Sequence, residues 1–179
     1  MTSALARLFR ASLSKGREMI PIATEVEHIT NYLKIQQMRY QDKIRFALDM
    51  DRELYPYLTL KVLLQPLVEN AIYHGIKNKE GPGTITITGK CRDNRIEFQV
   101  KDDGIGMDQS KVETLLTSTG GKQSRNSVGI ANVHQRIQLY FGTEYGLSYA
   151  SAPGSGTIVT LVIPAVHPDE WRSLEGDVP

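Results

Sequence analysis

The sequence contains one cysteine in 179 residues, Cys91. A single thiol forms no disulfide within the chain and builds no cysteine-based zinc site. Both exclusions suit a reducing compartment. Long apolar runs are also lacking. None approaches the roughly 20 residues that a membrane-spanning helix needs. Neither sign of charge dominates, because 21 basic and 20 acidic residues leave a net charge of +1. No global field draws the chain to nucleic acid or to a membrane surface. Acids are missing before Glu18, where Arg7, Arg10, Lys15 and Arg17 stand alone. A targeting peptide has that look. Leu5, Leu8, Phe9 and Leu13 keep helical spacing, however, and favour the end of an amphipathic helix.

Several catalytic signatures are missing as well. GGKQS resembles part of a P-loop, but Gln123 stands where Ser or Thr is needed and Leu116 where the first Gly is needed. G-x-G-x-x-G fails at Gln109. Ser-His-Asp and metal-histidine patterns are absent. His28 and His167 lie away from the other candidates, and His134 reads as surface.

The chain does have an ordinary globular mix, 40% hydrophobic and 23% charged. That is enough for one domain with a real core. Thr24 and Glu27 have capping-box spacing, and Val26, Ile29, Leu33 and Tyr40 mark a helix to about Tyr40. Residues 43–50 alternate as a strand. Leu60, Leu63, Leu64, Leu67, Val68, Ala71 and Ile72 predict a long helix over 58–76, kinked or split at Pro66 and stopped at Gly75. Residues 84–92 and 95–102 read as a hairpin around Asp93-Asn94. A short helix is expected near 108–116, then a loose glycine-bearing segment over 117–127. Gly129 should open another helix that ends at Gly142. Strands follow at 146–151 and 156–164. The pattern predicts an α+β fold: a two-layer sandwich of helices and an antiparallel or mixed sheet.

Four polar constellations stand out. On the long helix, Asn70 and His74 lie about 40° apart, with Tyr73 bordering them. An amide oxygen suits Mg²⁺ beside phosphate, and an imidazole can hydrogen-bond a phosphate oxygen. An ordinary polar helix edge explains them equally well. Asp102, Gly104 and Gly106 form D-x-G-x-G after a strand. A carboxylate accepts hydrogen bonds and suits an exocyclic amine, and glycines let backbone approach a flat ligand. A plain turn gives the same string. Lys122 and Arg125 lie in the loose segment, which reads as a lid or a solvated loop, and Gly129 with Ile130 would supply a phosphate-binding helix start. PGSGT, 153–157, precedes the last strand as a glycine turn.

Each of these is weak alone, but their order is specific. N-x-x-x-H, D-x-G-x-G, a lid, G-I-A-N and G-x-G-T resemble the N, G1 and G2 boxes and the final glycine motif of the Bergerat ATP-binding fold. Gyrase, Hsp90, MutL and the histidine kinases share that fold. NYLKIQQMRY, LLQPLVENAIYHGI, DDGIGM and GIANVHQRI resemble the LytS/YesM-type sensor histidine kinases, and the likeness runs over about residues 3–164. It implies a mixed sheet with helices on one face. It also implies ATP and Mg²⁺, with Asn70 on the metal and Asp102 on the adenine amine. Gly104 and Gly106 would lie beside the base, and Thr157 would support it through water. Tyr73, His74, Lys122, Arg125, Gly129 and Ile130 would meet the phosphates.

The resemblance also bears on the phosphoryl acceptor. Bergerat ATPases and anti-sigma serine kinases resemble one another in a Glu four residues before the Asn, which activates water or a hydroxyl. Pro66 holds that place here, and favours an imidazole acceptor. The expected function is therefore transfer of the γ-phosphoryl group to a histidine for relay to a response regulator. A Bergerat ATPase or serine kinase is the alternative, and a non-enzymatic module with the same fold is a third reading. The family's N-P-H-F-L-F-N acceptor string is not found, so the acceptor is expected on a helix outside these residues, in a homodimer. Residues 1–20 are read as helix end and linker, 21–165 as the catalytic domain, and 166–179 as a loose polar tail. The expected setting is the cytoplasmic side of a bacterial plasma-membrane protein, with any membrane contact made through upstream segments.

Overall fold

The computed structural model describes residues 18–108, 110–112 and 125–175, with backbone alone at 125–128 and 172–175. The period-2 pattern of the strands builds its centre. β2 (Ile44–Met50), β4 (Gly83–Arg92), β5 (Arg95–Asp102), β7 (Thr157–Pro164) and β6 (Gly146–Ser151) form one sheet in the order β2-β4-β5-β7-β6. β2 runs parallel to β4, and the other neighbours are antiparallel. The sheet is mixed, as expected. Asp93 and Asn94 both adopt positive φ (49° and 59°), which a two-residue turn between right-twisted strands requires.

One sheet face carries Ile85, Ile87, Ile96, Phe98, Val100, Val159, Leu161 and Ile163, each at most 2% exposed. Register continues that face to the end of β5, where Ile85 pairs with Asp102 and Asp102 with Thr157. The alternation that buries Phe98 and Val100 therefore buries a carboxylate too.

Helices pack on this core. α1 (Ile22–Tyr40) brings Ile22, Ile29 and Leu33 to it. α2 (Leu64–Asn70) brings Leu64, Leu67 and Val68 and continues as a wider π-turn over Ala71–Ile76. α3 (Arg125–Phe141) contributes Ile130, Val133, Ile137 and Tyr140. His134, half-buried and outside the candidate site, accepts the Leu147 N–H at its Nδ1 at 3.0 Å and fastens α3 to β6. At the other side, Tyr140 donates to Glu18 at 3.0 Å, and Arg136 lies 3.6 Å from the same carboxylate.

Several expectations are corrected. α1 begins at Ile22 with no side-chain cap, so Thr24 lies inside the helix and makes no capping box. Residues 58–76 are not one helix. Leu58–Leu60 forms strand β3, paired antiparallel with β1 (Met19–Pro21), and Val62 turns at φ 59°. Met19 and Ile20 thus belong to the folded unit and not to a linker. Pro66 neither kinks nor splits α2. It lies in the first turn, where the N–H it lacks would have no intrahelical partner. Gly75 does not stop the helix, which continues to Ile76. Nor does Gly129 open one, since α3 already runs from Arg125. Residues 110–112 are helical, and the rest of the 108–116 helix and the proposed lid fall largely outside the described residues. The expected loose tail contains helix α4 (Pro168–Glu175). Val166 bridges Leu58, and His167 meets Tyr57 edge-on at 5.9 Å.

The start of α2 is held from a distance. Glu25 of α1 is 2% exposed. Its carboxylate accepts the N–H groups of Val62, Leu63 and Leu64 at 2.9, 2.8 and 2.9 Å. It does the work of an N-cap, and its charge favours the positive end of the helix. Glu25→Ala should cost roughly 3 kcal/mol, because it strands buried donors. Glu25→Gln, which keeps one acceptor oxygen, should recover part of the loss. Urea denaturation measures both, and a loss below about 1 kcal/mol in the alanine variant contradicts this role.

Candidate functional site

The site lies where the ends of β5, β6 and β7 meet the π-turn. Asp102 is 3% exposed and Thr157 is 4% exposed. Gly104 N–H donates to Asp102 Oδ1 at 2.9 Å, so the carboxylate folds the following chain around itself. Ile105 N–H donates to the Gly75 carbonyl at 3.3 Å, which ties the D-x-G-x-G loop to the π-turn. A methyl group at Gly75 would sit 2.5 Å from Asp102 Oδ1, and one at Gly104 would overlap the Gly75 backbone. Neither position accepts a side chain. Gly106 holds φ 68°, and a methyl there would strike the Ala152 carbonyl. The glycines of this motif thus serve close backbone packing around one buried carboxylate.

Burial pushes Asp102 up to about 6 from the ordinary 3.8, while the Gly104 and Thr157 N–H groups pull the other way. The group is mostly ionised at neutral pH and is an acceptor there. Asn70 closes α2 at 5% exposure, at the junction with the π-turn. Such wider turns gather at functional sites. His74 is half-buried, and burial lowers its pKa, so the ring is neutral at pH 7. Tyr73 lies under Lys77 Nζ, 5.6 Å from the ring centroid.

The structure brings Asp102, Gly104, Gly106 and Thr157 together, and places Asn70, Tyr73 and His74 on the adjoining helix and turn. Lys122 falls outside the described residues, and Arg125 is described in backbone only. Gly129 and Ile130 do not stand at the start of α3. Both lie past the first turn of α3, where N–H groups serve helix carbonyls. Gly129 approaches Pro66, its missing Cβ position 4.0 Å from the proline Cβ, and Ile130 is fully buried.

Two participants escaped the sequence reading. Ser151 Oγ accepts the Met107 N–H and donates to the Gly156 carbonyl, both at 2.9 Å. A serine closing a strand gives no signal of this. Gly75 was read as a helix stop, although its place opposite Asp102 depends on the fold.

The comparisons with known proteins agree with this geometry. A family model described as histidine kinase-, DNA gyrase B- and HSP90-like ATPase matches residues 57–167, and a histidine kinase model matches residues 1–44. The chain belongs to this ATPase family, and it is similar to sensor histidine kinases of the YesM and LytS type. The sensor histidine kinase YesM of Bacillus subtilis is 34% identical over 164 residues, 92% of this chain and 27% of YesM. YpdA of Escherichia coli is 36% identical over 139 residues, 77% of this chain and 24% of that protein. The chain thus spans about a quarter of these relatives' length. The catalytic domain of histidine kinase ThkA superposes with a TM-score of 0.62 at 11% identity, over 83% of this chain and 97% of that one. A mycobacterial sensor histidine kinase, MprB, gives 0.60 at 18%, over 84% and 98%. At such identities the likeness shows the fold, which for this kinase-type domain is the mixed-sheet α+β sandwich.

Asp102 sets a pH dependence. Its folded-state pKa lies above the unfolded value, so the native state holds the extra proton between about pH 4 and 6. Stability carried by the protonated form is complete below pH 4 and is lost as pH rises through 6. The full shift corresponds to up to ~3 kcal/mol. Asp102→Asn should therefore flatten this decline and leave the ligand-free domain more stable than wild type at pH 7.5. Urea midpoints at pH 4 and 7.5 check it; parallel losses in both proteins would contradict it.

Proposed function

We propose that this domain binds Mg-ATP and transfers the γ-phosphoryl group to a histidine on a helix outside these residues, for relay to a response regulator. The observation that carries the reading is the buried Asp102 carboxylate, walled by the Gly75 and Gly104 backbones and faced by Thr157. An ionised acceptor flanked by glycines fits the exocyclic amine of adenine. Asp102 holds that amine, with Gly104 and Gly106 beside the base and Thr157 supporting it.

Among the described residues, no group of three or more His, Cys, Asp or Glu can hold a metal ion. Asn70 offers a single amide oxygen. That donor set fits Mg²⁺ carried mainly by phosphate and water, as is usual for this small, reluctantly dehydrated ion. When bound, the ion neutralises charge developing on the phosphates. His74 gives a neutral N–H to a phosphate oxygen, and Tyr73, Lys122 and Arg125 complete that end of the site. In the transfer, an imidazole nitrogen of the acceptor forms the new N–P bond as the bond from phosphorus to the ADP oxygen breaks.

Pro66 supports a histidine acceptor over water or serine. Its ring does no acid–base work and instead approaches Gly129 of α3. Glu69 is no substitute, because it points away from Asn70 on the helix and accepts a hydrogen bond from Gln65 at 2.9 Å. The four histidines here are poor acceptors for the same reaction. His28 pairs with Gln65, His134 with the Leu147 N–H and His167 with Asp169, and His74 lies in the site. The relatives' names and the histidine kinase model at residues 1–44 support a sensor kinase setting, in which we place a dimerising acceptor helix on the cytoplasmic side of the plasma membrane.

Calorimetric titration of the chain with Mg-ATP should give one site. Asp102→Ala should weaken it at least about a hundredfold, the worth of a charge-assisted hydrogen bond lost in a buried pocket. The chain alone should take up negligible acid-labile, base-stable phosphate. Unchanged affinity in the variant sinks the adenine assignment. Steady phosphate release, or transfer to a serine, sinks the histidine acceptor.

A further inference from the structure

Ser151 lies outside every motif named above, yet it touches three groups of the site. Its Oγ is 2.9 Å from the Met107 nitrogen, 2.9 Å from the Gly156 carbonyl oxygen and 2.9 Å from Thr157 Oγ1. A hydroxyl has one proton and two lone pairs. The Gly156 carbonyl only accepts, so it takes the Ser151 proton. The Met107 N–H only donates, so it occupies one lone pair. The second lone pair remains for Thr157, which must then donate its own proton to Ser151. Thr157 is thereby left with lone pairs alone to offer elsewhere. Asp102, its partner across the ladder on the same sheet face, is likewise an acceptor when ionised.

We propose that Ser151 is a positioning residue that sets base preference. By claiming the Thr157 proton, it makes this end of the pocket a set of acceptors, which suits a 6-amino purine and rejects a 6-oxo purine. The proposal rests on the ATP-site reading above. A 6-oxo group would bring its lone pairs against two acceptors and be desolvated without a donor. Sites of this kind discriminate strongly, because the mismatch leaves buried polar groups unpaired. Without Ser151, the Thr157 hydroxyl is free to turn and donate.

Mg-ATP and Mg-ITP titrated calorimetrically into wild type, Ser151→Ala and Ser151→Thr test this. Wild type should prefer ATP. Ser151→Ala should shrink the ATP-to-ITP affinity ratio roughly three- to tenfold, the worth of one neutral hydrogen bond. Ser151→Thr keeps a hydroxyl and should restore the ratio. An equal loss for both nucleotides in Ser151→Ala would show a merely structural role and overturn the proposal. Wild type that binds ATP and ITP alike overturns it as well, whereas wild type that binds neither overturns the ATP-site reading itself. If Ser151→Ala fails to fold, Thr157→Val decides. It should shrink the ATP-to-ITP affinity ratio by a similar factor, and an unchanged ratio would overturn the proposal.

Discussion

A carboxylate occupies a position that strand alternation reserves for hydrophobic side chains, and the rest of the site is arranged around it. Asp102 follows Ile96, Phe98 and Val100 on the buried face of β5. An ionised group there is costly unless hydrogen-bonded. The Gly104 N–H, the bare backbone of Gly75 and the neighbouring Thr157 supply what the position needs. Each requirement constrains a different part of the chain. Gly75 has to lack a side chain because Asp102 lies against it, Gly104 because Gly75 does, and Gly106 because the β6–β7 turn passes over it.

The π-turn has its place in the same arrangement. A regular helix would continue the Leu67–Val68–Ala71 stripe without change of pitch. Widening over Ala71–Ile76 keeps Ile72 and Ile76 buried while presenting the Gly75 backbone to β5. Asn70 stands at the start of that change and His74 within it. α2 is therefore clamped at both ends, by the Glu25 carboxylate at its start and by the D-x-G-x-G loop beyond its end. A side chain proposed to face the metal benefits from this rigidity, since catalysis by positioning tolerates little error.

Much of the fold was legible, for a physical reason. β5 and β6 read directly from period-2 alternation, and Asp93-Asn94 is a turn pair whose side chains tolerate positive φ. Local rules failed where the deciding partner is remote in sequence. Leu58–Leu60 satisfies a helical pattern, yet it pairs with Met19–Pro21. No residue near Leu63 announces a cap, because the cap comes from Glu25. Asp102, Gly104, Gly106, Thr157 and Asn70, which the structure places together or adjoining, were singled out through motif order, which composition cannot supply. Ser151 and the role of Gly75 were invisible, since each depends on three elements meeting at one sheet end.

Pro66 links the packing to the chemistry. The proline is tolerated because it stands in the first turn of α2, where the helix asks for no N–H. Its compact ring meets α3 at Gly129, where a longer acidic side chain would need both room and solvation. The same position therefore joins two helices and withholds a general base from the site. An acceptor that attacks at such a site has to bring its own nucleophilicity. Imidazole does so near neutral pH, whereas water and serine do not. The two neighbouring acids leave the conclusion unchanged. Glu69 accepts from Gln65 within α2, and Glu25 is committed to the backbone of residues 62–64. Glu25 cannot turn toward a phosphate without releasing the start of the helix that carries Asn70.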